Sequence, residues 1–117
     1  MQDEVTKNLK PEEVEMLARF QEELRRMTVG EHLVTMMQSL ATLAVRKMGM
    51  TPETSSERDM EQVKLAIEAF RVLVPVVEPS RPAAEIKAHK SVLAELQMAY
   101  VSALEQPSGA SPEATTE

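Results

Sequence analysis

Apolar residues recur at steps of three and four along most of this chain, and the breaks in that rhythm divide it into four helices. The first is expected from Pro11 to about Met27. Proline is tolerated at a first helical position because its missing N–H would go unbonded there anyway. Glu12, Glu13 and Glu15 then lie at the positive end of the helix dipole, and Arg25 and Arg26 at the negative end. Val14, Leu17, Phe20 or Gln21, Leu24 and Met27 form one stripe. Glu15, Arg19, Glu22 and Arg26 occupy the opposite side in i,i+4 pairs. The helix is amphipathic.

Thr28 followed by Glu31 has the spacing of a reciprocal cap, with the hydroxyl on the third amide and the carboxylate reaching back. A second helix begins there and runs to Met48. Gly49 can adopt the left-handed conformation that closes a helix, behind Arg46 and Lys47 in the last turn. Leu33, Met36, Met37, Leu40, Leu43 and Ala44 make its main stripe, widened by Val34, Ala41, Val45 and Met48, so few positions suit water. Residues 50–58 read as the longest internal loop.

Asp59 caps a third helix, with Gln62 at the third position and Met60, Val63, Ile67, Phe70, Val74 and Val77 at steps of three and four. Pro75 cannot donate to the helix and disfavours helical geometry at Val74, so the helix is expected to stop near Val72 to Val74. Ser80 or Arg81 is expected to cap a fourth helix with Pro82 inside its first turn, ending near Leu104 before Pro107. Ile86, His89, Leu93, Leu96, Tyr100 and Ala103 or Leu104 repeat the seam, and Val92, Ala99 and Val101 broaden it. The fold class is therefore all-α: a small antiparallel bundle of three core helices preceded by an amphipathic helix. The helical domain covers residues 10–105. Residues 1–9 and 106–117 are too polar to offset their ordering entropy and are expected to form a flexible N-terminus and a disordered tail.

Composition removes whole classes of function. The 117 residues include no cysteine, which excludes disulfides, thiolate-bound metals and thiol catalysis. No basic start followed by an apolar run is legible as a secretory signal, so a cytoplasmic location is expected. The longest charge-free stretch, Leu33 to Val45, is 13 residues, against about 20 for a membrane span. A net charge of −6 argues against attraction to phosphate backbones. The two termini carry −1 and −2 of it, leaving −3 for the body, so the folded surface is closer to balanced.

The candidate chemistry is sparse. Glu85 and His89 stand at i,i+4, whereas helical metal sites draw on Glu-x-x-His triplets, and a hydrogen-bonded histidine at the rim of the seam explains the pair without a ligand. His32, in the opening turn of the second helix, reads as a surface residue. No nucleophile with a base and an orienting acid is apparent, and glycines at 30, 49 and 109 are too scattered for a phosphate loop. We therefore expect no enzyme, no catalytic residue, no cofactor, no metal and no small-molecule substrate. Nine methionines stand beside three aromatic residues. They suit gap-filling in an aromatic-poor core, and also an adaptable contact surface.

From Val29 to Leu104 the order of features resembles the bacterial family of unknown function called DUF1844. The likeness is carried by Glu31-His32-Leu33-Val34-Thr35-Met36-Met37 through Arg46-Lys47-Met48-Gly49, by Asp59-Met60-Glu61-Gln62-Val63 with Ala66-Ile67, by Val74-Pro75, and by Leu93-Leu96-Gln97-Met98-Ala99-Tyr100. It implies a small cytoplasmic all-helical protein, and it supplies no activity. The residues themselves point to a noncatalytic interaction protein, because an almost all-round apolar second helix is hard to cover from one short chain. A homodimer or another protein partner would cover it, through Leu33, Met37, Leu40, Ala44 and Met48. The alternative is a translation-linked accessory that contacts ribosomal protein or RNA through Arg25, Arg26, Arg46, Lys47, Lys87 and Lys90.

Overall fold

A computed structural model describes residues 8–106. The expected flexible N-terminus and disordered tail lie almost wholly outside those residues. Among the described residues the chain forms four α-helices and no strand: α1 (Pro11–Arg26), α2 (Val29–Lys47), α3 (Met60–Val77) and α4 (Ala83–Leu104). The local signals act where the sequence places them. Thr28 Oγ1 accepts from the Glu31 amide at 3.1 Å while the Glu31 carboxylate accepts from the Thr28 amide at 2.9 Å. Asp59 accepts from the Gln62 amide at 3.2 Å and starts α3. Gly49 ends α2 with φ +64°.

Two helix ends differ from expectation. α3 runs through Pro75 to Val77 instead of stopping near Val72 to Val74. Proline removes one donor from the last turn, but Val74 and Val77 are both buried there, and the Glu78 amide closes the turn on the Val74 carbonyl. Burying two side chains outweighs one missing hydrogen bond on an exposed flank. Pro82 lies just outside α4 as its cap residue, not inside the first turn. Ser80 does not cap α4; its hydroxyl donates to the Val77 carbonyl at 3.0 Å and belongs to the end of α3.

α3 is the central helix. It packs along α2 on one side and along α4 on the other, whereas α2 and α4 barely meet. The core is aliphatic with one aromatic ring: Met37, Ala44 and Met48 from α2 and its end, Val63, Ile67, Phe70, Val74 and Val77 from α3, and Ile86, Leu96 and Ala103 from α4. Val92 and Ala99 pack against this core, but Val101, expected to broaden the α4 seam, is exposed. α1 contributes no buried residue, and its Val14, Phe20 and Leu24 remain open to solvent.

The connection from α2 to α3 is rigidly tied. Arg46 makes two hydrogen bonds to the Glu57 carboxylate, at 2.6 and 2.7 Å, and the Asp59 amide donates to the Lys47 carbonyl at 2.8 Å. Arg58, which the sequence leaves inside a loop, joins two helix ends. Its guanidinium donates to the Met48 carbonyl at 2.9 Å, the Ala103 carbonyl at 2.7 Å and the Gln106 carbonyl at 2.9 Å. The last carbonyls of a helix have no partner within it, so one side chain supplies the C-termini of both α2 and α4.

Candidate protein-binding surface

Because α4 covers only one side of the α2–α3 pair, the other side stays open. On α3 that side carries Leu65, Ala69, Val72 and Val76, spaced four, three and four, with Leu65 64%, Val72 49% and Val76 54% exposed. On α2 it carries Val29, Met36, Leu40 and Leu43, of which Val29 is 76% exposed and Leu40 is partly buried. Spacings of three and four hold each set on one helix face. The two sets meet in a shallow groove of about 130 Å³ lined by Leu40, Leu43 and Lys47 from α2 and by Gln62, Leu65 and Ala69 from α3. The side chains are therefore an adjoining apolar surface across two helices and not scattered single exposures.

The five residues expected to form an interaction face divide. Met37 and Ala44 are fully buried and Met48 is nearly so, so they cannot touch a partner of the folded chain. Leu33 and Leu40 pack at the edge of the core, and Leu40 reaches the groove. The open surface lies one step around the helix, at Met36 and Leu43. It continues onto α3 at Leu65, Val72 and Val76, outside the face expected from the sequence. The available signal was the second set of spacings on α3, apolar at 65, 69, 72 and 76 in addition to the core seam.

A second opening separates α2 from α4, a cleft of about 620 Å³ between Ala41 and Val45 on one wall and Val92 and Ala99 on the other. Its charged groups are Glu95 and the Arg46 already bound to Glu57. Its lining is mainly apolar, with Val45 as its one exposed large apolar residue.

Glu85, His89 and Arg81 form a single cluster at the start of α4. Arg81 binds the Glu85 carboxylate through two donors at 2.8 and 2.9 Å, and His89 Nε2 donates to the same carboxylate at 3.1 Å. His89 is 9% exposed, with its ring edge-on to Phe70 at a centroid distance of 6.4 Å. The histidine is thus at the rim of the core, hydrogen-bonded as the sequence suggests. Its carboxylate partner is shared with Arg81. No group of three or more histidine, aspartate or glutamate side chains is gathered at metal-binding range among the described residues. His32 is exposed.

The hydrogen bonds from Arg81 first, and from His89 second, hold the Glu85 carboxyl well below its usual range, at about 2. A carboxyl more acidic in the folded than in the unfolded chain stabilises the fold fully above the unfolded value, near 4.5, and loses that contribution as pH falls toward 2. Glu85→Gln is therefore expected to lower the melting temperature at pH 7 and to narrow its gap to the unsubstituted chain between pH 4.5 and 2. Thermal unfolding followed by circular dichroism at both ends of that range checks this.

Arg25 and Arg26 both bind the Glu22 carboxylate, and Arg46 binds Glu57, so three of the six cations considered for RNA contact are held by carboxylates of their own chain. Lys87 and Lys90 are exposed on α4. No helix among the described residues is long and apolar enough to cross a membrane.

No family model matches this chain, and neither a curated protein nor a solved structure matches it.

Proposed function

We propose that the protein is a noncatalytic helical interaction module, working in the cytoplasm, whose docking face is the open side of the α2–α3 pair. The observation that carries this reading is the apolar surface shared by Val29, Met36, Leu43, Leu65, Val72 and Val76, all large, all exposed and all on one side of two packed helices. Single exposed apolar residues are ordinary on protein surfaces, but a contiguous set on two adjoining helices is the form taken by helix-docking sites. The occupant is a protein helix: the surface is elongated and apolar, with Lys47 and Gln62 as the polar groups lining its groove. The resemblance of residues 29–104 to DUF1844 accords with this reading, since it likewise supplies a helical domain without a catalytic motif.

The test uses residues that the fold does not need. Leu65 and Val76 are more than half exposed, so Leu65→Asp with Val76→Asp should leave the helical circular dichroism spectrum unchanged. Association of the chain, measured by sedimentation velocity, should weaken by about 100-fold, from roughly 1.5 kcal/mol per apolar side chain no longer buried. Unchanged association in a folded double variant would remove this face from consideration.

A further inference from the structure

The chain carries a second unpartnered apolar surface besides the groove, and the two are complementary. α1 presents Val14, Leu17, Phe20 and Leu24 along one stripe and buries none of them. Resting on the docking face proposed above, we infer that two copies of this chain associate by exchange, with α1 of each copy lying in the α2–α3 groove of the other.

Length, charge and area each bear on this. At 1.5 Å per residue the 16 residues of α1 span about 24 Å, and α2, whose open face runs from Val29 to the groove at Leu40, Leu43 and Lys47, spans about 28 Å. Charge sets the direction. Lys47 lines the groove at the C-terminal end of α2, whereas Glu31 and Glu78 stand at the other end, where Arg81 is already held by Glu85. The acidic first turn of α1, with Glu12 and Glu13, therefore belongs over Lys47, and its last turn, where Arg25 and Arg26 share the single carboxylate of Glu22 and leave one positive charge in excess, toward Glu31 and Glu78. That direction is antiparallel to α2 and places the positive end of one helix dipole beside the negative end of the other. The cleft between α2 and α4 is a poorer seat: its unpaired charge is Glu95, and α1 has five glutamates against three arginines.

Reciprocity follows from area. A helix about 24 Å long and ~10 Å wide, laid in one groove and counted on both surfaces, removes only about 500 Å² from water, half of what a specific interface needs. Two symmetric contacts reach about 1,000 Å², and their closure about a two-fold axis stops further growth. The exchange also explains Val29. Antiparallel seating brings the Met27–Thr28 links of both copies to the same end of the interface, and the 76% exposed Val29 of each copy lies beside that crossing.

The absence of cysteine makes the test direct. The antiparallel alignment pairs Leu17 of one copy with Leu40 of the other. Full-length L17C and L40C chains, mixed and mildly oxidised, should give a disulfide-linked heterodimer at twice 13.0 kDa, with little dimer from either chain alone. Full-length Leu17→Glu with Leu24→Glu, altering only residues outside the core, should stay helical and sediment as a monomer. An internal disulfide in the L17C/L40C double variant, or a link from L17C to V45C in preference to L40C, would overturn the exchange. So would association that Leu17→Glu with Leu24→Glu leaves intact while Leu65→Asp with Val76→Asp abolishes it; the docking face would then stand with a different occupant. A chain that stays monomeric at high micromolar concentration sinks the exchange outright.

Discussion

Replacing Arg58 by alanine should lower the stability of the fold by about 3–4 kcal/mol, a large part of the 5–15 kcal/mol typical of a small domain. The reason is geometric. One guanidinium serves Met48 at the end of α2 and Ala103 and Gln106 at the end of α4, which are 10, 45 and 48 residues away in sequence. Hydrogen bonds from a charged donor contribute about 1.5–3 kcal/mol each, and removing the donor leaves part-buried carbonyls without partners. Gln106 lies at an exposed position where water can replace the lost bond, so two of the three contacts dominate. Arg58→Lys should recover less than half of the loss, because an ammonium is a point charge and cannot span carbonyls from two helices as a planar fork does. Thermal unfolding checks both variants: a drop of roughly 15–25 °C is expected for Arg58→Ala. A drop of a degree or two would mean that water satisfies the helix ends equally well.

The second large effect is expected at Gly49. Its φ of +64° is strained for any residue with a Cβ, and a Cβ built there meets Arg58 Cβ at 2.6 Å, Arg58 Cα at 3.1 Å and the Thr54 carbonyl oxygen at 3.2 Å. The left-handed conformation costs about 1–2 kcal/mol, and displacing the backbone that positions Arg58 adds a comparable amount. Gly49→Ala should therefore destabilise by about 2–4 kcal/mol. Gly30→Ala is the control. There the close neighbour is the Ser80 hydroxyl, at 2.7 Å, the free end of a side chain that can rotate away. The gain in helix propensity over glycine, up to about 1 kcal/mol, offsets the lost Ser80 bond, and little net change is expected. Urea unfolding of the two variants side by side measures the difference. Equal losses would show that crowding against Arg58 and the left-handed φ contribute nothing.

The local features of the fold are legible in the sequence because their partners lie within four residues. Thr28 with Glu31, Asp59 with Gln62, and Gly49 behind Arg46 and Lys47 all need only chain-neighbour geometry. The long-range features are not. Arg58 reads as one more polar loop residue because its acceptors belong to two other helix ends. Pro75 reads as a terminator because the rule against proline is local, whereas the burial of Val74 and Val77 that holds the last turn is tertiary.

The candidate surface was half legible for a related reason. α2 is apolar nearly all round, so periodicity shows that it needs covering on more than one side and cannot show which side its own chain covers. The line through Leu33, Met37, Leu40, Ala44 and Met48 runs along the boundary between the two sides, and three of its five members face inward. Once α4 is in place the open side is fixed at Met36 and Leu43, and α3 contributes Leu65, Val72 and Val76 beside them.

The most direct measurement is sedimentation of the unaltered full-length chain over a concentration series from about 1 to 200 μM. Reciprocal docking of α1 in the α2–α3 face of a second copy predicts a weight-average mass that rises from 13.0 kDa toward twice that value and levels off there. A mass that stays at 13.0 kDa across the whole series would contradict it.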